Sequence, residues 1–199
     1  ETTQQVLLQP RHFYERMFVT GGVGGPLLYA VILGYIGVVA NTVYNAVFSS
    51  IVGSSFPQLM GDRPELERLL EVYGTWVGAL GQLVTGPVWI AVGAFVGAGI
   101  LHLLLMLLGG ANADFEATFR VVAFAHAINV ITLVPFCGSF IALVWWVVVA
   151  SIGLSVVHRI SMGRAVLAVL LPVLLCCCCC AGAFGLLASS MAAALGQVR

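Results

Sequence analysis

The sequence predicts an all-α integral membrane protein, a bundle of five transmembrane helices. Three observations carry that expectation. Of the 199 residues 61% are hydrophobic and only 8% charged, against roughly 25% charged in soluble domains that must cover their surface for water. The mean hydropathy is +1.08, the composition of a chain whose solvent is lipid. There the backbone polar groups must be satisfied internally, which favours bundled helices. Third, the charges leave four long gaps, Arg16 to Asp62, Glu71 to Asp114, Arg120 to Arg159 and Arg164 to Arg199. Each exceeds the roughly 20 apolar residues a helix needs to cross the hydrocarbon core.

Taken in order, residues 1–25 read as a cytoplasmic or interfacial segment ahead of a transmembrane domain at 26–199. In VLLQPRHFYERMF (6–18), Pro10 opens a short helix with Phe13, Met17 and Phe18 toward lipid and Arg11, Glu15 and Arg16 toward water, the pattern of an interfacial helix. GGVGGP at 21–26 is a hinge before the first span, 26–52. A link and helix occupy 54–81. Asp62 and Pro64 open its helical part, with acids in the first turn where the helix dipole favours them. That part is expected to run along the surface and turn in near Gly86–Pro87. The second span, about 82–108, ends at Gly109–Gly110. Pro135 and Gly138 break the third gap into spans at 117–134 and 138–158. The fifth span covers 165–189. The chain opens on Glu1 and its first twenty residues carry no signal-peptide pattern, so insertion is expected to rely on the spans.

All eight cations are arginine. With five spans, Arg11, Arg16, Arg120, Arg159 and Arg164 share one side, against Arg63, Arg68 and Arg199 on the other. The positive-inside rule then places the N-terminus in the cytoplasm and the C-terminus outside, in an inner membrane. Eight acids cancel the cations. No basic patch exists for nucleic acid, and that partner class is dropped.

Polar groups inside spans are the first place to look for chemistry, because lipid makes them costly. Asn41 and Asn45 are four residues apart on one face of span one; His102 lies in span two; His126 and Asn129 share a face of span three. One reading makes them a polar track for an ion or proton. The preferred one is interhelical hydrogen bonding, about 1 kcal/mol each, since no acid lies inside a span. Asp114 and Glu116 with Arg120 read as a helix cap and an i,i+4 ion pair. Cys176 to Cys180 form a run of five that an uninterrupted helix cannot fold around one ion; small polarizable packing groups are expected. Gly93-x-x-x-Gly97 and Ala181-x-x-x-Gly185 suit close helix approach. No nucleophile elbow, phosphate loop, metalloprotease helix or dinucleotide fingerprint occurs. No catalytic, cofactor-binding or metal-binding residue is therefore expected, and no enzyme activity.

From about Pro10 to Gly182 the chain resembles the Yip family, the Ypt/Rab-interacting membrane proteins and their bacterial relatives. The resemblance rests on QPRHFYERM before span one, ILHLLLMLLGG ending span two and DFEATFRVVAFAHA entering span three. It continues with the turn LVPFCGSFIALVWWVVVASIGL and with HRISMGRAVLAVLLPVLL leading into span five. The anchors are Pro10, Phe13, Gly109, Gly110, Phe119, Pro135, Gly138, Gly163 and Pro172. The resemblance implies five spans, a cytoplasmic N-terminus and an external C-terminus. In eukaryotes it implies vesicle traffic, Rab-type GTPase contact and hetero-oligomers. The family's long N-terminal region with its aromatic-rich motif has no counterpart here, so the GTPase contact is not carried over. Arginine-only, Ala/Gly/Val-rich usage points to a bacterial member. Bacterial relatives often carry an N-terminal metal-binding ribbon, and the start on Glu1 is compatible with its removal.

The leading functional expectation is a non-enzymatic membrane-organising or trafficking-type scaffold, acting through helix, partner or self contacts in the lipid bilayer. Two alternatives stand beside it. One is a small transporter or channel using Asn41, Asn45, His102, His126 and Asn129. The other is lipid binding, with Arg159 and Arg164 contacting headgroups at about 1 kcal/mol each.

Overall fold

A computed structural model of the chain describes residues 1–52 and 76–196. The expected surface helix before Trp76, with Asp62, Arg63, Pro64 and Arg68, lies outside the described residues, as does Arg199. Two short helices, α1 (Thr2–Leu8) and α2 (Pro10–Arg16), precede α3 (Gly24–Val52), α4 (Trp76–Leu107) and α5 (Phe115–Ala125). A 3₁₀ segment, His126–Leu133, continues directly from α5; α6 (Gly138–Val157) and α7 (Met162–Gly196) complete the chain. Among the described residues there is no strand. Five stretches are long and apolar enough to cross a bilayer: Gly24–Phe48, Val77–Leu107, Phe115–Leu133, Gly138–Val157 and Met162–Cys179. The protein is a multi-pass membrane bundle.

The helices α3, α4, α6 and α7 are apolar nearly all round, as lipid-facing helices must be. By contrast α5 is central: eight of its eleven residues, Ala117 to Val122 with Ala123 and Ala125, are buried, and it packs against α3, α4 and α6. The core is built from Phe119, Val121 and Ala123 of α5, Leu101 and Leu105 of α4, Val149 and Leu154 of α6, and Ala165 and Val169 of α7.

Four sequence expectations are corrected. Pro10 does open α2, but Phe13 and Met17 pack on the bundle core rather than facing lipid. Phe13 stacks edge-on against Phe124 at 5.1 Å and Tyr14 is 2% exposed. The chain gains more by burying these rings against α5 and α6 than by laying them in headgroups. The turn expected at Gly86–Pro87 does not occur, because α4 runs straight through it. Neighbouring helices stabilise prolines inside membrane helices, and Gly86 lets Val38 of α3 approach to 3.2 Å of where a Cβ would sit. Gly93 and Gly97 face open space, with nothing within 4 Å of an added Cβ; close approach falls instead at Gly34 against Ile90 and at Gly153 against Tyr14 and Val121. Finally, Cys177, Cys178 and Cys179 are exposed rather than buried in the bundle. The side chains of Cys176, Cys180 and Ala181 lie outside the described ones.

Candidate functional site

Two polar centres are assembled, at different depths. The first sits at the bundle end where α4 and α6 finish and α5 and α7 begin. The backbone N–H of Ala113 donates to His158 Nδ1 at 3.2 Å. An acceptor at Nδ1 puts the proton of neutral His158 on Nε2. That Nε2–H meets Thr118 Oγ1 at 2.9 Å, and the Thr118 hydroxyl then donates to His102 Nδ1 at 2.9 Å. Asn112 Nδ2 adds a bond to the His158 carbonyl at 2.9 Å. His158 is fully buried just beyond the end of α6. Burial first, and the neighbouring His102 second, hold its pKa down from 6.5 to about 4. The chain of bonds therefore runs one way and ties α4, α5 and α6 together.

At the same end, Arg120 is the sole buried charge among the described residues, 8% exposed. Its guanidinium donates to Glu116 Oε1 at 3.2 Å, to the Phe18 carbonyl at 3.0 Å and to the Gly22 carbonyl at 2.8 Å. Glu116 Oε1 also accepts the Gly22 N–H at 2.7 Å. The expected i,i+4 pair is present, and it additionally clamps the glycine hinge before α3. Tyr14 donates to the Val121 carbonyl at 3.3 Å; burial raises its pKa, so it stays a donor.

The second centre lies between α3, α4, the 3₁₀ segment and the start of α6. A cavity of about 420 Å³ is lined by Asn41, Tyr44, Gln82, His126, Asn129 and Thr132, with Ser139. The 3₁₀ winding is what aligns His126, Asn129 and Thr132: at three residues per turn they eclipse, whereas an α-helix would fan them apart. His126 Nδ1 donates to the Val122 carbonyl at 3.0 Å, so its Nε2 is left as an acceptor. Asn129 Nδ2 donates to the His126 carbonyl at 3.0 Å, and its Oδ1 faces Gly37. Asn45 Nδ2 donates to Asn41 Oδ1 at 2.6 Å. Thr42 bonds Gln82 Oε1 at 3.1 Å, and Tyr44 bonds the Leu133 carbonyl at 2.5 Å.

Of the five intramembrane residues singled out from sequence, Asn41, His126 and Asn129 therefore converge. Asn45 bonds to one of them, and His102 belongs to the other centre. Sequence reading missed Thr118, His158, Gln82 and Thr132. A hydroxyl or amide inside an apolar run was the available signal for Thr118, Gln82 and Thr132; His158, at a span's end, read as part of a basic loop. Arg159 and Arg164 are exposed. Among the described residues, no group of three or more His, Cys, Asp or Glu side chains could hold a metal.

The anchors of the resemblance have local reasons. Gly109 (φ +62°) ends α4 with bonds from Gly109 N–H to the Met106 carbonyl and from Gly110 N–H to the Leu105 carbonyl. This is a Schellman cap. A side chain on Gly138 would strike the Ile131 carbonyl. Phe119 is buried and stacks on Phe95 with centroids 4.5 Å apart. A family model, the Yip1 domain, matches residues 5–184. The chain belongs to the Yip family. No curated protein and no solved structure matches it significantly. The Yip1 match begins within α1 and extends into α7, so both polar centres of this Yip protein lie inside the domain.

Proposed function

We propose that this Yip-family chain is a membrane-organising scaffold of the trafficking type, acting through helix and partner contacts within the bilayer rather than through catalysis or ion transport. One observation carries the reading: Arg120, the sole buried charge among the described residues, is consumed by three bonds inside the chain. The polar cavity is lined by no acid or arginine, and proton or cation coupling needs one. In this reading residues 1–25 are a cytoplasmic-side segment clamped onto the 26–199 bundle, and Arg16, Arg120, Arg159 and Arg164 mark the cytoplasmic end of a bacterial inner-membrane protein. Proteoliposomes should show solute flux at the level of empty vesicles. Photo-crosslinking from the outer face of α4, at exposed Val88 or Leu103, should give discrete protein adducts in native membranes. Flux abolished by Asn129→Leu would remove the proposal.

A second reading rests on Arg159. It takes a left-handed conformation (φ +52°) at the end of α6, where Ile160 N–H bonds the Ser155 carbonyl and Arg159 N–H bonds the Val156 carbonyl. Glycine would sit there without strain. Arginine there, with Arg164 close in sequence, suits anionic headgroups. Arg159→Ala/Arg164→Ala should lower co-purifying phosphatidylglycerol; unchanged lipid content would exclude it.

A further inference from the structure

Beside the polar cavity lies a second one of about 570 Å³, lined by Trp89, Gly93, Gly97, Val122 and Trp146. Val38, Gln82, Ile90 and His126 border both. The two are arms of one amphipathic cleft, polar toward the 3₁₀ segment and apolar toward α4 and Trp146.

The polar arm has a definite chemistry. Its donors are Asn41 Nδ2 and Gln82 Nε2, whose amide oxygens accept from Asn45 and from a Thr42 hydroxyl shared with the Val38 carbonyl. Its acceptors are His126 Nε2, Asn129 Oδ1 and the oxygens of Tyr44 and Thr132, which spend their hydrogens on the Leu133 and Asn129 carbonyls. Donors and acceptors line one space together, which a hydroxyl group, both donor and acceptor, answers best. A phosphate or carboxylate would enter without a counter-charge, and burying an unpaired ion is far costlier than burying a hydrogen-bonded hydroxyl. The apolar arm offers no polar partner beyond the shared Gln82 and His126 except the Trp89 and Trp146 indoles.

We propose that the cleft binds one uncharged lipid with a hydroxyl-bearing headgroup, of the diacylglycerol type, head against His126 and Asn129 and tail along Gly93, Gly97 and Trp146. The glycines keep the apolar arm open, since an added Cβ at either meets nothing within 4 Å. This site does not depend on the scaffold reading.

The full chain in phosphatidylcholine nanodiscs is photolabelled with a diacylglycerol carrying a diazirine on its acyl chain. Labelling should fall on the Trp89–Gly97 stretch or Trp146 and be competed by dioleoylglycerol. Gly97→Leu, which fills the tail channel, should reduce it about ten-fold while keeping the wild-type melting temperature. If that variant melts early, Gln82→Leu replaces it, because Thr42 keeps its 2.9 Å bond to the Val38 carbonyl; the same loss is expected. Labelling equally strong with diazirine-bearing phosphatidic acid, or unchanged in the folded variant, overturns the proposal. Competition by free glycerol or inositol but not by dioleoylglycerol assigns the polar arm to a soluble polyol and overturns it too.

Discussion

Acidification should loosen the bundle through His158. In the folded chain the imidazole is buried, and its Nδ1 accepts the Ala113 N–H, so a second proton would set two N–H groups against each other. Its pKa falls from 6.5 to about 4. Because the unfolded chain binds the proton more readily, the stabilisation is complete above pH 6.5 and drains away as pH falls toward 4. At 1.36 kcal/mol per unit the full loss is about 3 kcal/mol, and between pH 7.5 and 5 about 2 kcal/mol. For a chain of this size that lowers the melting temperature by about 4–8 °C. The assay is thermal unfolding in one detergent across that pH range, for wild type and for His158→Gln, which has no proton to gain. The variant should start lower and show a nearly flat profile. If it keeps the wild-type slope, another group carries the acid response and the assignment to His158 is wrong.

Thr118→Val keeps the shape but removes the hydroxyl that His158 and His102 share, so about 1–3 kcal/mol should be lost, while Thr118→Ser should recover most of it; equal melting temperatures for Val and wild type would refute the bridge. Arg120→Ala should cost about 2–4 kcal/mol by unpairing Glu116 and two carbonyls, read as faster protease cleavage near Gly21–Gly22 as well as earlier melting. Two glycine substitutions should have opposite signs. Gly153→Ala places a Cβ 2.6 Å from Val121 Cγ1 and 2.9 Å from the Tyr14 ring and should destabilise by about 1–3 kcal/mol. Gly93→Ala enters open space and should be neutral or stabilising by up to about 1 kcal/mol. Both are read by thermal unfolding, and a shared sign would show that packing is not what separates them.

Charge gaps and hydropathy made the five crossings legible, because they reflect solvent and depend on no particular neighbour. Boundaries were less so. A proline stops a helix in water, yet Pro87 sits inside α4, since lipid leaves the backbone no better partner than itself. The amphipathic look of residues 6–18 was real, but sequence cannot say whether an apolar face meets lipid or protein; Phe13 meets Phe124. The His126–Asn129 pairing was readable from spacing. Its partners Gln82 and Tyr44 come from other helices, and only the fold brings them there. The 3₁₀ winding left no trace in composition, so Thr132 went unnoticed as the third rung.

That winding also adds length to a short crossing. Eleven α-helical residues at about 1.5 Å each and eight at about 2.0 Å give Phe115–Leu133 a length of about 32 Å. Wound as α throughout, the same nineteen residues would measure about 28 Å and fall short of a hydrocarbon slab about 30 Å thick. The tighter coil therefore works as a spacer, lengthening the most protein-enclosed crossing until it matches that slab.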